Sequence, residues 1–294
     1  MDKQINFIQS DSKLNGFFVR RVDKSTIPTC NILGVNIAAI NMEWLLNYLR
    51  KYLKSPKGNL LAGDYICVSN VHTTVTSYED AEYCKIQNGG LMAIPDGGPL
   101  STVGKKCGFQ EMERTTGPGL MGELFKISTE LKYRHYFYGS TEDTLKKIYQ
   151  MLKKNYPGIQ IAGMYNPPFH PVTEEEDATI IKMINYSNPE IVWVGLGAPK
   201  QEKWMAEHQG KVNGLMVGVG AGFDYFAGNM NRAPVWMQKS NLEWFYRLIQ
   251  DPKRLFQRYL HTNLKFLWLE MFRGQYNVLY LLLREAYKTI IRIN

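Results

Sequence analysis

The sequence lacks the marks of several common protein classes. Its four cysteines, Cys30, Cys67, Cys84 and Cys107, form no CxxC pair, which argues against a zinc site built on paired cysteines. Their even number does not by itself imply disulfides. The five histidines, at 72, 135, 170, 208 and 261, show no metal-ligand spacing. No uninterrupted apolar run of about 18 residues occurs, so a standard spanning helix is not expected. The opening MDKQINFIQSDSK has no apolar h-region, and no signal peptide is expected. Internal repeats and low-complexity tracts are also missing.

What is present suits a globular chain. The 294 residues are 45% hydrophobic and 21% charged, enough for a sizeable core and unlike a disordered chain. The formal net charge is +8, and its distribution is uneven. From Lys239 onward there are ten Lys/Arg against four Asp/Glu, whereas the first 238 residues carry twenty-five against twenty-three. The positive charge therefore belongs mainly to the tail, where it would attract phosphates on lipid or nucleotide.

Residues 1–31 are mostly polar and irregular and read as an N-terminal extension. A core pattern starts at ILGVNI, 32–37. Met42 to Tyr52 places Trp44, Leu45, Tyr48, Leu49 and Tyr52 at helical spacing, with Asn41 as N-cap. Strands are predicted at 65–68, 91–94, 134–138, 159–162, 191–196 and 215–219, and one helix is predicted from Asn70 through Tyr83. Continuous apolar strands separated by helical patterns predict a Rossmann-like, mainly parallel α/β sheet covered by helices on both faces, over 32–236. Small and polar residues follow the strands, where open α/β sheets hold ligands.

From about residue 237 the character changes. Leu242, Phe245, Tyr246 and Ile249 share a helical face, and Leu255, Phe256, Tyr259 and Leu260 interleave with Arg254 and Arg258. Aromatic residues beside basic ones predict an amphipathic appendage over 237–294 that lies in a bilayer interface. Packing on the core or against another copy of the chain is the alternative.

Several residues have the chemistry for a site. Asp96, in PDGGP just past a strand, is either a proton acceptor or a turn former. Arg114 precedes Thr115-Thr116-Gly117-Pro118-Gly119, where glycines and hydroxyls before a helix can cradle phosphate or sugar oxygens. In GLGAPKQEKW, Gly195 and Gly197 follow a strand, and Lys200 and Gln201 stand in the first turn of a helix. This is not the GxGxxG dinucleotide fingerprint. GVGAGFDYFAG adds Gly220 and Asp224; the latter either binds a ribose or caps local backbone. Arg247, Arg254 and Arg258 could neutralise a pyrophosphate or simply face solvent.

The segments ILGVNI, PDGGP, ERTTGPGL, the PPF of 167–169, GLGAPKQEKWM, GVGAGFDYFAGNMNRAPVWMQ and LEWFYRLIQDPKRLFQRYL resemble the WecG/TagA/CpsF glycosyltransferase family from about residue 32 to about 260. The resemblance implies an inverting enzyme without a metal or other cofactor. It would move N-acetylmannosamine, or a related hexose or uronic acid, from a UDP-sugar to undecaprenyl-pyrophosphate-linked GlcNAc or another lipid-linked sugar in cell-surface polysaccharide synthesis. On the same basis Asp96 falls on the general base, and Asn70, Arg114 and Gln201 on polar motif positions. Arg247 and Arg254 fall on tail arginines that close over the site; Arg258 belongs to the same pattern. One departure stands out: Val68 occupies a position where many members carry Thr.

The partners implied are a UDP-sugar, a polyprenyl-pyrophosphate-linked acceptor and an anionic bilayer surface. A second copy of the chain or neighbouring polysaccharide-synthesis enzymes are further candidates. The place expected is the cytoplasmic face of the membrane, peripherally bound. The rival reading is a membrane-bound, non-catalytic adaptor or regulatory subunit. A nicotinamide oxidoreductase lacks its fingerprint, and a nucleic-acid binder fits poorly with the apolar tail and near-neutral core.

Overall fold

The computed structural model describes residues 22–168, 170–240, 242–253 and 255–270. Most of the N-terminal extension (1–21), Phe169 of the PPF segment, Arg254 and the stretch 271–294 lie outside the described residues.

Strands β1 (Thr29–Ile32) and β2 (Val35–Ala38) pair antiparallel. Between them Leu33 and Gly34 both take positive φ, 50° and 91°, as a two-residue type I′ turn requires. ILGVNI is thus a hairpin tip rather than one run, and the sheet starts at Thr29. The turn is hard to read because Leu is uncommon at positive φ. Helix α1 (Met42–Leu53) is capped by Asn41, whose Oδ1 accepts from the Trp44 N–H at 2.9 Å.

After β3 (Tyr65–Ser69) come two helices, α2 (Val71–Glu79) and α3 (Ala81–Gly89), in place of the single one expected. Asp80 divides them because its carboxylate caps α3, accepting from the N–H groups of Glu82 and Tyr83. The chain continues through β4 (Met92–Pro95), α4 (Gly98–Lys106), α5 (Gly117–Leu131), β5 (Arg134–Gly139) and α6 (Glu142–Asn155). Then follow β6 (Gln160–Tyr165), α7 (Glu174–Tyr186), β7 (Ile191–Gly195), α8 (Lys200–Glu207) and β8 (Leu215–Gly218). Helices α9 (Gly222–Phe226), α10 (Val235–Lys239) and α11 (Glu243–Gln250) lead to a further helix, α12, over 255–270.

Among the described residues eight strands form one sheet in the order β1-β2-β4-β3-β8-β7-β5-β6, parallel except for the first pair. Side chains alternate between two cores. Ile66, Val68, Trp193 and Val217 meet α1, α5, α6 and α9 on one face. Tyr65, Cys67, Val192, Val194 and Met216 meet α2, α4, α7 and α8 on the other. This is the doubly covered α/β sheet that the apolar runs predict. From β3 the chain moves to β4 on one side, while β8 is reached from β7 on the other. The adjacent β3 and β8 therefore mark a reversal of winding, where a crevice opens at the strands' carboxyl ends.

Helix α12 buries Leu255, Thr262, Phe266 and Leu269, with Phe266 entering the second core. Glu79 at the end of α2 holds it from the side, 2.5 Å from Lys265 Nζ and 3.3 Å from His261 Nε2. Part of the C-terminal segment thus packs on the core. Its other side leaves Phe256, Leu260, Leu264 and Trp268 exposed.

Phe125 is the hub of the first core. Fully buried, it lies edge-on to Trp193, Tyr156 and Phe226 at ring distances of 5.8, 5.6 and 5.2 Å. Phe125→Ala removes this hub, and equilibrium urea unfolding is expected to show a loss of about 3–5 kcal/mol.

Candidate active site

A cavity of about 430 Å³ lies above the carboxyl ends of β3, β4, β7 and β8. Its floor is made by Val68, Asn70 and Asp96 and by the glycine loops at Gly197 and Gly218–Gly222. Arg114, Thr116 and Pro118 form a wall. Tyr225 of α9, with Glu243, Trp244 and Arg247 of α11 and Arg258, Tyr259 and Asn263 of α12, closes it from above.

Asp96 is fixed by its backbone. Its N–H donates to Ser69 O at 2.8 Å, and its carbonyl accepts from Arg114 Nε at 2.7 Å. The half-buried carboxyl is held above the ordinary carboxylate range, chiefly because the walls remove it from water. Arg114 pulls the value down, Glu243 pushes it up, and Arg247 and the Gly117 backbone N–H pull it down again. Gly117 is the first residue of α5, so the positive end of that helix faces the carboxylate. The carboxyl keeps its basicity while remaining among cations, a combination suited to taking a proton from a bound hydroxyl.

The arginines differ in what they do. Arg114 is taken up by protein groups: beyond Asp96, it donates to Glu243 Oε2 at 2.5 Å and to Gln238 O at 3.5 Å. Arg247 lies 6.0 Å from the Tyr225 ring centroid. Burial works against its charge, but Tyr225, Tyr259, Asp96 and Glu243 outweigh that and raise its pKa. Arg258 also lines the cavity, packed over the Tyr259 ring at 5.5 Å.

The polar residues of the floor are braced from within. Asn70 caps α2, its Oδ1 accepting from the N–H groups of His72 and Thr73 at 3.0 and 3.2 Å. Buried Gln201 accepts from the Gly197 N–H at 3.1 Å and donates to Glu202 at 2.8 Å, setting the first glycine loop. Gly197 and Gly220 take φ of 78° and 48°, backbone that glycine adopts without strain. Val68 presents a methyl face where a hydroxyl would offer a hydrogen bond. Ser69 does not replace it, because its hydroxyl faces away and donates to Gln87 at 2.6 Å.

Of the residues read from sequence, Asn70, Asp96, Arg114, Gly197, Gln201, Gly220, Arg247 and Arg258 meet in this cavity. Gly117, Gly195, Lys200 and Asp224 do not line it. Gly195 instead makes room for Phe223, whose ring would lie 2.6 Å from an added Cβ. Lys200 is exposed at the start of α8. The Asp224 carboxylate accepts from the Asn229 side-chain amide at 3.5 Å, and its backbone carbonyl from the N–H groups of Asn229 and Met230 at 2.9 and 3.2 Å. Tyr225, Glu243 and Asn263 line the cavity without having been singled out. For Glu243 a signal existed: it stands four residues before Arg247, hence on the same helix face. Among the described residues no group of three or more His, Cys, Asp or Glu is placed to hold a metal ion.

A cavity at a sheet's winding reversal, with a carboxylate below and arginines above, is the arrangement in which open α/β sheets hold ligands, and its arginines suit an anionic one. The family model described as "Glycosyl transferase WecG/TagA/CpsF family" matches residues 30–277, and the chain belongs to that family. A Bacillus subtilis (strain 168) protein named N-acetylglucosaminyldiphosphoundecaprenol N-acetyl-beta-D-mannosaminyltransferase is 31% identical over 216 residues, 73% of this chain and 80% of that protein. A Staphylococcus aureus (strain MW2) protein of the same name is 27% identical over 234 residues, 79% of this chain and 89% of the other. The chain is therefore read as a glycosyltransferase.

The raised Asp96 pKa has a consequence for stability. A carboxyl whose folded pKa exceeds its unfolded value stabilises the fold fully below the unfolded value, and this is lost as pH rises through the folded one. Asp96→Asn is therefore expected to melt higher than wild type near neutral pH, with the difference closing in acid below the ordinary value of 3.8. Paired thermal melts across pH check this.

Proposed function

We propose that this chain is an inverting hexosyltransferase that moves N-acetylmannosamine, or a related hexose or uronic acid, from a UDP-sugar to a lipid-linked sugar. Undecaprenyl-pyrophosphate-linked GlcNAc is the first acceptor to test, since both relatives are named for it. The product would enter cell-surface polysaccharide. The observation that carries this reading is the placement of Asp96 below and Arg247 and Arg258 above one cavity.

In this reading the acceptor hydroxyl attacks the anomeric carbon while Asp96 takes its proton. The bond to UDP breaks on the opposite side of the sugar, inverting the centre. Asn70 and the loops at Gly197 and Gly220 contact the donor, and Gln201 sets the first of those loops. Arg247 and Arg258, with Arg254, neutralise the diphosphate as it leaves. Val68 makes one point of the floor apolar and contributes to sugar selectivity. No metal takes part in this scheme.

Attachment would be peripheral, on the cytoplasmic face of a membrane; the exposed Phe256, Leu260, Leu264 and Trp268 support the attachment. Among the described residues no helix is long and apolar enough to cross one. An interfacial helix beside the cavity would bring the site to a substrate that stays in the bilayer.

Asp96→Asn is expected to lower turnover of UDP-N-acetylmannosamine with a prenyl-pyrophosphoryl-GlcNAc acceptor by at least ~100-fold. UDP binding measured by calorimetry should be retained. Full turnover in this variant would remove Asp96 as base. Leu260→Glu combined with Leu264→Glu should release the protein from anionic vesicles in a flotation assay while leaving the fold intact. Unchanged flotation would show that α12 is not the attachment face.

A further inference from the structure

Glu243 is a buried carboxylate in the roof that the scheme above does not use. Its residue is 7% exposed. One oxygen accepts from the Arg114 guanidinium at 2.5 Å, and the other lies 3.5 Å from the Tyr225 hydroxyl. Arg114 is the first cation outside the floor to act on Asp96. Its planar fork is fixed at three points: Nε on the Asp96 carbonyl, one terminal nitrogen on Gln238 O and the other on Glu243. A fork held this way cannot turn a pair of donors onto the Asp96 carboxylate.

We propose that Glu243 is a positioning residue for the transfer reaction: from α11 it engages Arg114 and keeps that charge from quenching the basicity of Asp96. The inference rests on the reading of Asp96 as the base. It makes the roof part of the chemistry. With α11 docked, Asp96 faces an arginine already neutralised by a carboxylate. Without Glu243 the same arginine stands beside Asp96 with its charge uncompensated and its fork freer to turn.

The groups facing this centre act in known directions. Arg114 and Arg247 favour ionised Asp96, as does the Gly117 N–H, whereas Glu243 disfavours it. Tyr225 of α9 senses Arg247, Glu243, Asp96 and Arg232, and Tyr259 of α12 acts on Arg247. Burial pushes the Tyr225 phenol up to about 12, so it stays neutral over the working range. The charged side chains that act on Asp96 itself are Arg114, Arg247 and Glu243, and removing one of either sign has a direction that can be worked out.

The test is the pH profile of kcat/KM for full-length variants, with UDP-N-acetylmannosamine and prenyl-pyrophosphoryl-GlcNAc as substrates. Glu243→Gln is expected to move the acid limb down by roughly one pH unit and lower the plateau rate, because the base becomes weaker. Arg114→Gln is expected to move the limb up, and the double variant to return it close to wild type. Glu243→Asp should keep the wild-type limb. Opposite shifts are the signature, since loss of folding lowers the plateau without moving limbs in opposite directions. Limbs that stay in place, or that move together, would overturn the proposal and leave Glu243 as a structural staple. If Asp96→Asn retains full activity, the reading of the base fails. If that variant is inactive while the limbs do not move, only the role of Glu243 fails.

Discussion

Arg114 joins parts of the chain that are far apart in sequence. Its guanidinium reaches back 18 residues to the carbonyl of Asp96 and forward 129 to Glu243. The pair is shielded, with side-chain exposures of 21% and 10%. A charge pair in such a place is not strongly stabilising in net terms, but losing one partner leaves the other desolvated and uncompensated. The loop after β4, the approach to α5 and the roof helices are thereby fixed to one another.

Beneath the cavity a different kind of support operates. Gln201 links the Gly197 loop to Glu202, which is fully buried and whose pKa burial raises. On the β3 side the Ser69 hydroxyl bonds Gln87, and Gln87 bonds the Tyr83 hydroxyl. Such bonds are strong when water is excluded, and costly when one partner is lost. The floor is thus held by short polar links between neighbouring elements. The roof is held by the Arg114–Glu243 pair, by Glu79 against Lys265 and His261, and by apolar packing of α12.

Much of the sheet could be read from the chain because parallel strands covered on both faces are continuous apolar runs. The runs at 65–68, 134–138, 191–196 and 215–219 all coincide with strands. The β1–β2 hairpin was hidden by a leucine at positive φ, and the break at Asp80 by a cap inside a helical pattern. Glycine-rich segments after strands located the floor, yet their individual glycines split between lining the cavity and making room for neighbours such as Phe223. The roof was the least readable part. Its apolar residues Phe245 and Ile249, on the face expected to meet a bilayer, are exposed, but nothing in the apolar pattern showed that Glu243 would be buried. Charge at the inner face of a helix reverses the usual pattern, and only the position of Arg114, brought near by folding, explains it.

Helix α12 carries two sets of residues on one cylinder. Arg258, Tyr259 and Asn263 look into the cavity, while Phe256, Leu260 and Leu264 look outward. Successive residues of an α-helix are about 100° apart, so the two sets form one rigid body. A rotation that seats the outer side chains more deeply on any surface swings the inner ones by the same angle. The helix therefore works like a key whose cuts run side by side: neither set can be reshaped by turning it without misaligning the other. Outward adaptation is confined to exchanging side chains at 256, 260 and 264, with the helix axis left where the cavity needs it.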